Sequence, residues 1–519
     1  MAQLVTSPGT LRTRAVPDNG EEKTIISRWI DSVTTEVANG HVISREGFAG
    51  PTVAARFYSM IGTAAYEAWQ ITEFNSSSLV SMEEFHNVWI IDLFRQESFV
   101  SDLISSVIIK VAGSEVSGLT NHGLQNLTEF YISTKQGNKA EALIDRISST
   151  ISKKVISMYQ YDGYNSPSYY QPVNSLSKIV DIDKWTPEYN SSDDLYSGVQ
   201  SYLTPYWGNL TPFLITKEEL SGLSSMAANP HLFLLSSEDT YDLDSLTLTD
   251  TSAGVVYSLD KALIGSHINP RFIEQASKVI EYSQSLTNNP DGIIRKGTAE
   301  FWEDGLGTPF PPGTWLVIGQ AVSLNNDFSL EQDAKLFQGL GATVHAAAIS
   351  AWHLKFKDNY TRPLRAIRTL SQLGLLQDND PYAIGSQFFA FNRKSGNVDL
   401  ISGIDFETYQ LPYGGYSPPF AEYTSGHSTF SASAAAFLSQ FSDSQDFPSE
   451  IDFFLTFPYP NNDMVQVSLE YQTLWEAAEA AGDSRLWGGI HFDDGNDNGL
   501  LVGEQIGSLM FERLSMFWD

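Results

Sequence analysis

From Ile25 onward the chain repeats one pattern: long stretches with apolar residues at every third and fourth position, broken by Gly, Asn, Ser and Pro. Val53 to Trp69 and Asn87 to Val111 show it most clearly. This spacing gathers apolar side chains on one face of an α-helix, and that face must be buried against another helix. The pattern therefore predicts an all-α protein. At 519 residues the chain is longer than one core usually grows, so the expected architecture is two helical bundles packed into one large globular unit. The expected divisions are an N-terminal arm over 1–24, an N-terminal helical region over 25–285 and a helical bundle over 286–519 that carries the functional site. The stretch from Tyr161 to Asp260 is rich in Tyr, Ser, Asp and Pro. It reads as long loops with one minor hairpin in Ser245 to Leu259.

Two segments echo each other. Ala54 through Trp69 and Phe337 through Trp352 are both small-residue helices that close on Ala-Trp. The echo fits two related bundles, and it fits equally two unrelated helices that pack tightly.

Charge narrows the partners. Lys+Arg total 31 against Asp+Glu 62, a formal net charge of -31, which argues against nucleic acid or an anionic membrane surface. No apolar run is long enough to suggest a membrane span. Zero Cys excludes disulfides and thiolate metal ligands and removes the side chain most easily consumed by oxidants. Met1 to Asn19 lacks the pattern of a signal peptide, so the compartment is open, secreted or periplasmic if a leader has been removed. A homo-oligomer is also left open.

In so acidic a chain a local gathering of basic residues carries information. Lys355 is followed seven residues on by Arg362-Pro363, then come Ser425-Gly426-His427, then Ser484-Arg485 with His491 six beyond Arg485. Two guanidinium groups, an ammonium, a hydroxyl, exposed amides and two imidazoles can neutralise, orient and attack a tetrahedral or trigonal-bipyramidal oxyanion. Each piece alone has an ordinary reading: Lys355 as a cation at a helix C-terminus expected near Asp358-Asn359, Ser425 as an N-cap, and the Arg485 to His491 spacing as chance. Ser425-Gly426-His427 precedes the Ala- and Phe-rich Ser428 to Phe441, so it is expected at a helix N-terminus, where free amides favour an anion.

Taken together, Lys-x6-Arg-Pro, Ser-Gly-His and Ser-Arg-x5-His resemble the signature of the vanadium-dependent haloperoxidases, a superfamily shared with acid and lipid phosphatases. Flanking residues favour the bacterial haloperoxidase branch: Glu300 to Gly305 with Pro311-Pro312-Gly313, Leu203 to Gly208 with Thr211-Pro212-Phe213, and Trp487 to Phe492. The resemblance implies vanadate bound through a ring nitrogen of His491, with Lys355, Arg362, Ser425, Gly426 and Arg485 holding its oxygens. It implies His427 and Lys355 as catalytic groups, Trp352 and Phe420 on the halide side, and Asp304 paired with Arg485. The implied activity is oxidation of halide, bromide or iodide favoured, by hydrogen peroxide, with halogenation of small organic acceptors. The alternatives are an acid phosphatase working through a phosphohistidine, and a non-catalytic oxyanion-binding protein. Two departures stand out: Asp493 is acidic where the resemblance expects a basic residue, so no support for His491 is identified, and Phe420 stands where some bromoperoxidases carry His.

Asp494-x-Asn496-x-Asn498-Gly499 opens like a calcium loop, but the twelfth position is Gln505, with Glu504 one place early. The expectation is a polar turn before a helix over Leu500 to Met516, with calcium as the minor option.

Overall fold

The structure, a computed structural model, describes residues 10–13, 23–73, 92–137, 140–165, 170–191, 198–376, 386–411, 414–456 and 464–519. The helices are α1 Ile25–Ala38, α2 Pro51–Thr72, α3 Glu97–Ala112, α4 Asn121–Thr134, α5 Glu141–Gln160, α6 Lys217–Ser224 and α7 Pro270–Gln284. They continue with α8 Pro290–Phe301, α9 Phe310–Asn325, α10 Leu330–Asp358, α11 Pro363–Gln372, α12 Gly426–Ser442, α13 Leu474–Trp487 and α14 Asp493–Trp518. The expected all-α class holds. The strands are short: β1 Thr10–Thr13, β2 Thr240–Asp242, β3 Thr247–Asp250, β4 Val255–Ser258, β5 Gln387–Asn392, β6 Asn397–Ser402, β7 Ser449–Thr456 and β8 Met464–Leu469.

These strands form sheets in the orders β1-β7-β8, β2-β3-β4 and β5-β6. The hairpin expected in Ser245 to Leu259 is β3–β4, antiparallel with Thr247 opposite Ser258 and Asp250 opposite Val255. The sequence reading named neither of the other sheets. Of the helix expected over Asn87 to Val111, residues 87–91 lie outside the described residues, and α3 covers its remainder from Glu97.

The two echoing segments are α2 and α10, and they pack on each other. Every residue of α2 is buried, Arg56, Glu67 and Gln70 among them, which puts the helix at the centre of a bundle with neighbours on all sides. A Cβ on Gly62 would come 2.2 Å from the Phe337 carbonyl oxygen, so the two backbones are in direct contact. Helix α10 begins in a capping box, Ser329 with Gln332, and ends where Asn359 turns left-handed at φ 47. That end is where the sequence placed it.

Helices α12 and α14 also meet backbone to backbone. Cβ atoms on Gly503 and Gly507 would come 2.5 Å from the Thr429 and 2.2 Å from the Ser433 carbonyl oxygens. The spacing of four is one helical turn on each partner, so the contact fixes the register between the two helices. It also places their N-termini, and with them Ser425, Gly426, His427 and His491, side by side. One hydrophobic cluster runs from Ile26 to Leu514 and draws on residues from both sides of position 285. A second gathers Phe233, Phe272, Tyr360, Ile367, Tyr423 and Phe492. The basic residues lie at the seam between them, with Trp352 and Phe420 on the first side and Tyr360 and Tyr423 on the second. Among the described residues no helix is long and apolar enough to cross a membrane.

Candidate active site

Lys355 lies in the last turn of α10 and is fully buried. Its ammonium donates to the carbonyl of Ala421 at 3.1 Å, to that of Glu422 at 2.8 Å and to that of Thr424. Those carbonyls engage all the donors an ammonium has. Arg362 is the N-cap of α11, with Pro363 as the first helical residue. Its Nε donates to the Phe420 carbonyl at 3.0 Å, Nη2 to that of Ala421 at 3.1 Å and Nη1 to that of Ile490 at 2.8 Å. Arg362 Nη1 also lies 3.0 Å from His491 Nε2. The two cations thus grip the segment from Phe420 to Thr424, and Arg362 reaches on to the metal-binding candidate.

Ser425 caps α12: its hydroxyl accepts from the Ser428 amide at 3.3 Å, and its own amide donates to the Gly495 carbonyl at 2.8 Å. Gly426 and His427 form the first turn, whose amides have no partner within the helix. His427 Nε2 donates to the Glu303 carbonyl at 3.2 Å. Arg485, in the last turn of α13, donates through Nη1 to the carbonyls of Trp302 at 3.1 Å and Glu303 at 3.0 Å. Glu303 is therefore shared by His427 and Arg485, tying α12 and α13 to the loop after α8.

The cavity between these elements is lined by Gly426, His427, Arg485 and His491, with Trp352, Phe420, Glu303 and Asp304 also in its wall. Lys355, Arg362 and Ser425 do not line it. The Trp352 and Phe420 rings lie 5.0 Å apart, and Lys355 Nζ sits 5.7 Å from the first ring centroid and 5.4 Å from the second. Asp304 and Arg485 do not meet as the hydrogen-bonded pair that the resemblance implied. Asp304 Oδ1 accepts from the Thr314 hydroxyl at 2.7 Å, and Oδ2 has no hydrogen-bond partner.

Burial dominates the electrostatics. It pushes the His427 imidazole well below its ordinary range, and the charge of Arg485 adds to the effect. Burial followed by Arg362 and Lys355 does the same to His491. Lys355 is lowered by burial and then by Arg362, with Glu422 opposing. Burial raises Asp304 to about 7 against the pull of Thr314 and Arg485, and Glu422 to about 7 against Arg362 and Lys355. Both imidazoles are therefore neutral near neutral pH, amid cations that oppose protonation.

One functional candidate escaped the sequence reading. Glu422 is fully buried, and its Oε1 accepts from His491 Nδ1 at 2.6 Å and from the Phe492 amide at 3.1 Å. It supplies the support for His491 that the resemblance did not identify. The available signal was a lone charge in the otherwise apolar run Phe420-Ala421-Glu422-Tyr423.

The calcium-like loop does not form. Helix α14 starts at Asp493 rather than Leu500, so Asp494, Asn496 and Asn498 sit on helical turns. Among the described residues no group of three or more His, Asp or Glu could hold a metal ion. The expectation of a polar turn followed by a later helix is corrected with it.

Residues 335–519 match the family model described as the VCPO second helical-bundle domain. No curated protein matches the chain by sequence. Among solved structures, a holo-type bacterial vanadium-dependent chloroperoxidase superposes with a TM-score of 0.64 at 16% identity, covering 90% of this chain and 93% of that one. A bacterial vanadium-dependent iodoperoxidase superposes at 0.61 and 16%, covering 94% and 95%. The fold is that of the vanadium-dependent haloperoxidases, as the motifs implied. Every basic residue of the cluster and both imidazoles fall within residues 335–519, while Pro51, the loop Glu303 to Gly305 and Pro311 reach the cavity from before that region.

Proposed function

We propose that this chain is a vanadate-dependent haloperoxidase that oxidises halide, bromide or iodide favoured, with hydrogen peroxide to a hypohalous acid equivalent that halogenates small organic acceptors. The observation that carries the reading is the setting of His491. Glu422 holds its Nδ1–H, so Nε2 is unprotonated and accepts from Arg362 Nη1 at 3.0 Å, and His491 lies in the wall of the cavity.

The donor set fits vanadate. Lys355, Arg362 and Arg485 are all buried around the site, while burial pushes the neighbouring carboxyls of Glu303, Asp304 and Glu422 toward the neutral form, which favours an oxyanion to balance the positive charge. His491 would hold the metal, with Arg485 and the Gly426 amide reaching its oxygens from the cavity wall and Lys355, Arg362 and Ser425 supporting from behind. Vanadate bound there would act as a Lewis acid that activates peroxide without changing oxidation state.

The remaining work falls to the chain's own groups. His427 is kept neutral by burial, and with Nε2–H committed to the Glu303 carbonyl its Nδ1 is the atom that accepts a proton. Trp352 and Phe420 form an apolar wall beside the cations, so charge developing on a reacting oxygen is less screened by water.

Vanadate-loaded protein should halogenate monochlorodimedone with peroxide and bromide or iodide, and no turnover with chloride, bromide or iodide would refute the reading. A neutral His491 with Nε2 unprotonated is equally the arrangement of a phosphohistidine nucleophile. Rapid hydrolysis of p-nitrophenyl phosphate by vanadate-free protein, abolished by His491→Ala, would assign the chain to that chemistry instead.

A further inference from the structure

We infer that Glu422 is the positioning residue of His491, and that position 495 is glycine because the Glu422 carboxylate fills the space its side chain would take. The inference rests on the proposed role of His491 as the vanadate ligand, but its geometric part stands apart from that role.

Glu422 is clamped along the chain. Its amide donates to the Tyr360 carbonyl at 3.0 Å, and its carbonyl accepts from Lys355 Nζ at 2.8 Å. With the backbone fixed on both sides, the side chain has one direction to run, toward His491 and the first turn of α14. There Oε1 takes the His491 Nδ1 proton at 2.6 Å and the Phe492 amide at 3.1 Å. An imidazole whose Nδ1–H is committed to a carboxylate presents Nε2 as its only lone pair, fixed in direction and more basic.

Gly495 is the other half of the arrangement. A Cβ there would come 2.2 Å from Glu422 Oε1 and 2.8 Å from its carboxyl carbon. That close approach has a converse. Glu422 Oε1 thus lies within the reach of an aspartate carboxylate from position 495, so with Glu422 truncated an Asp there can turn an oxygen toward the place Oε1 now occupies. The Gly495 carbonyl accepts from the Ser425 amide at 2.8 Å, which holds this turn of α14 against the anion-facing end of α12. A carboxylate from either residue is thus expected to reach the same ring nitrogen.

The test moves the carboxylate. Glu422→Gln, Glu422→Ala and Glu422→Ala/Gly495→Asp would be compared with the parent chain, each first shown to melt cooperatively. In protein with 15N-labelled histidine and no vanadate, long-range 1H–15N spectra report which His491 nitrogen carries the proton, the signal being assigned by its loss in His491→Ala. Equilibrium dialysis with vanadate gives the affinity. The parent and Glu422→Gln, whose amide oxygen can still accept, should show the Nδ1–H form. Glu422→Ala should lose it and bind vanadate about 10- to 100-fold more weakly, and the double variant should regain the Nδ1–H form and most of the affinity. An Nδ1–H form unchanged in Glu422→Ala overturns the inference, as does a folded double variant no better than Glu422→Ala. If the tautomer follows the carboxylate while the parent binds no vanadate, the positioning stands and the proposed function falls.

Discussion

Asp304→Asn should make the vanadate-free protein more stable above neutral pH and leave it unchanged in acid. Asp304 is 6% exposed, and its pKa is raised to about 7 from an ordinary value of 3.8, chiefly by burial. The folded state therefore binds this proton more tightly than the unfolded chain does. Stability from the group is fully present below about pH 4 and is lost as pH rises toward 7, where the folded protein must either keep the proton or bury the charge. A shift of this size corresponds to roughly 4 kcal/mol across that window, an upper figure because the surroundings relax around a buried charge. Asn carries no proton to lose. Its amide oxygen can accept from Thr314 as Asp304 Oδ1 does at 2.7 Å, and it tolerates the left-handed backbone at φ 46. Urea unfolding of both chains, measured from about pH 4 to about pH 8, isolates the residue because every other titrating group is common to the two. The curves should coincide in acid and separate progressively through pH 5 to 7, with the variant above. Parallel curves across the whole range would refute the assignment of a raised pKa to Asp304 and the view that its second oxygen is truly without a partner.

Gly507→Ala should destabilise the protein by about 1–3 kcal/mol in urea unfolding, since its Cβ would come 2.2 Å from the Ser433 carbonyl oxygen; an unchanged midpoint would mean that α12 and α14 are not in backbone contact there. Arg485→Ala should weaken vanadate binding in equilibrium dialysis, whereas His427→Ala should keep binding and lose most halogenating turnover. Unchanged affinity in the first or unchanged turnover in the second would remove that residue from its role. Vanadate or phosphate at about 100 times its dissociation constant should stabilise the chain by about 2.7 kcal/mol, read as a higher melting temperature, because it balances buried positive charge. The rise should shrink in Arg485→Ala.

The helices were legible because their signal is local. A three-to-four apolar period, a Ser or Asn at the cap and a proline past the end are fixed within a few residues, and α10 stops at Asp358 just where Arg362-Pro363 requires. The sheet β1-β7-β8 was not legible, since β1 pairs Thr10 with Asp452 and no neighbouring residue records that partner. The start of α14 was misread for a related reason. Asp, Asn and Gly favour turns when judged by propensity, yet here Asp493 and Asp494 suit the positive end of a helix, while Gly495 and Gly499 are required by contact with Glu422 and with Ser425. Tertiary packing chose residues that local preference counts against a helix. Glu422 was missed on the same ground, because its meaning comes from residues 69 and 73 positions further on, His491 and Gly495.

The basic cluster itself divides in a way the motif does not show. Arg485, His427 and His491 line the cavity, but Lys355 and Arg362 spend their donors on the carbonyls of Phe420, Ala421, Glu422, Thr424 and Ile490. Those carbonyls are buried and would otherwise lack partners, a cost of about 1–3 kcal/mol each. Lys355 and Arg362 are thus struts for the segment that carries Glu422 and leads into Ser425, as well as sources of positive potential. Contact between Lys355 and a bound oxyanion would require the ammonium to exchange one carbonyl for an anion oxygen, because its donors are already engaged. Loss of activity on replacing Lys355 would therefore not separate a ligand from a strut. Replacing Arg485, whose guanidinium is in the cavity wall, tests anion binding more directly.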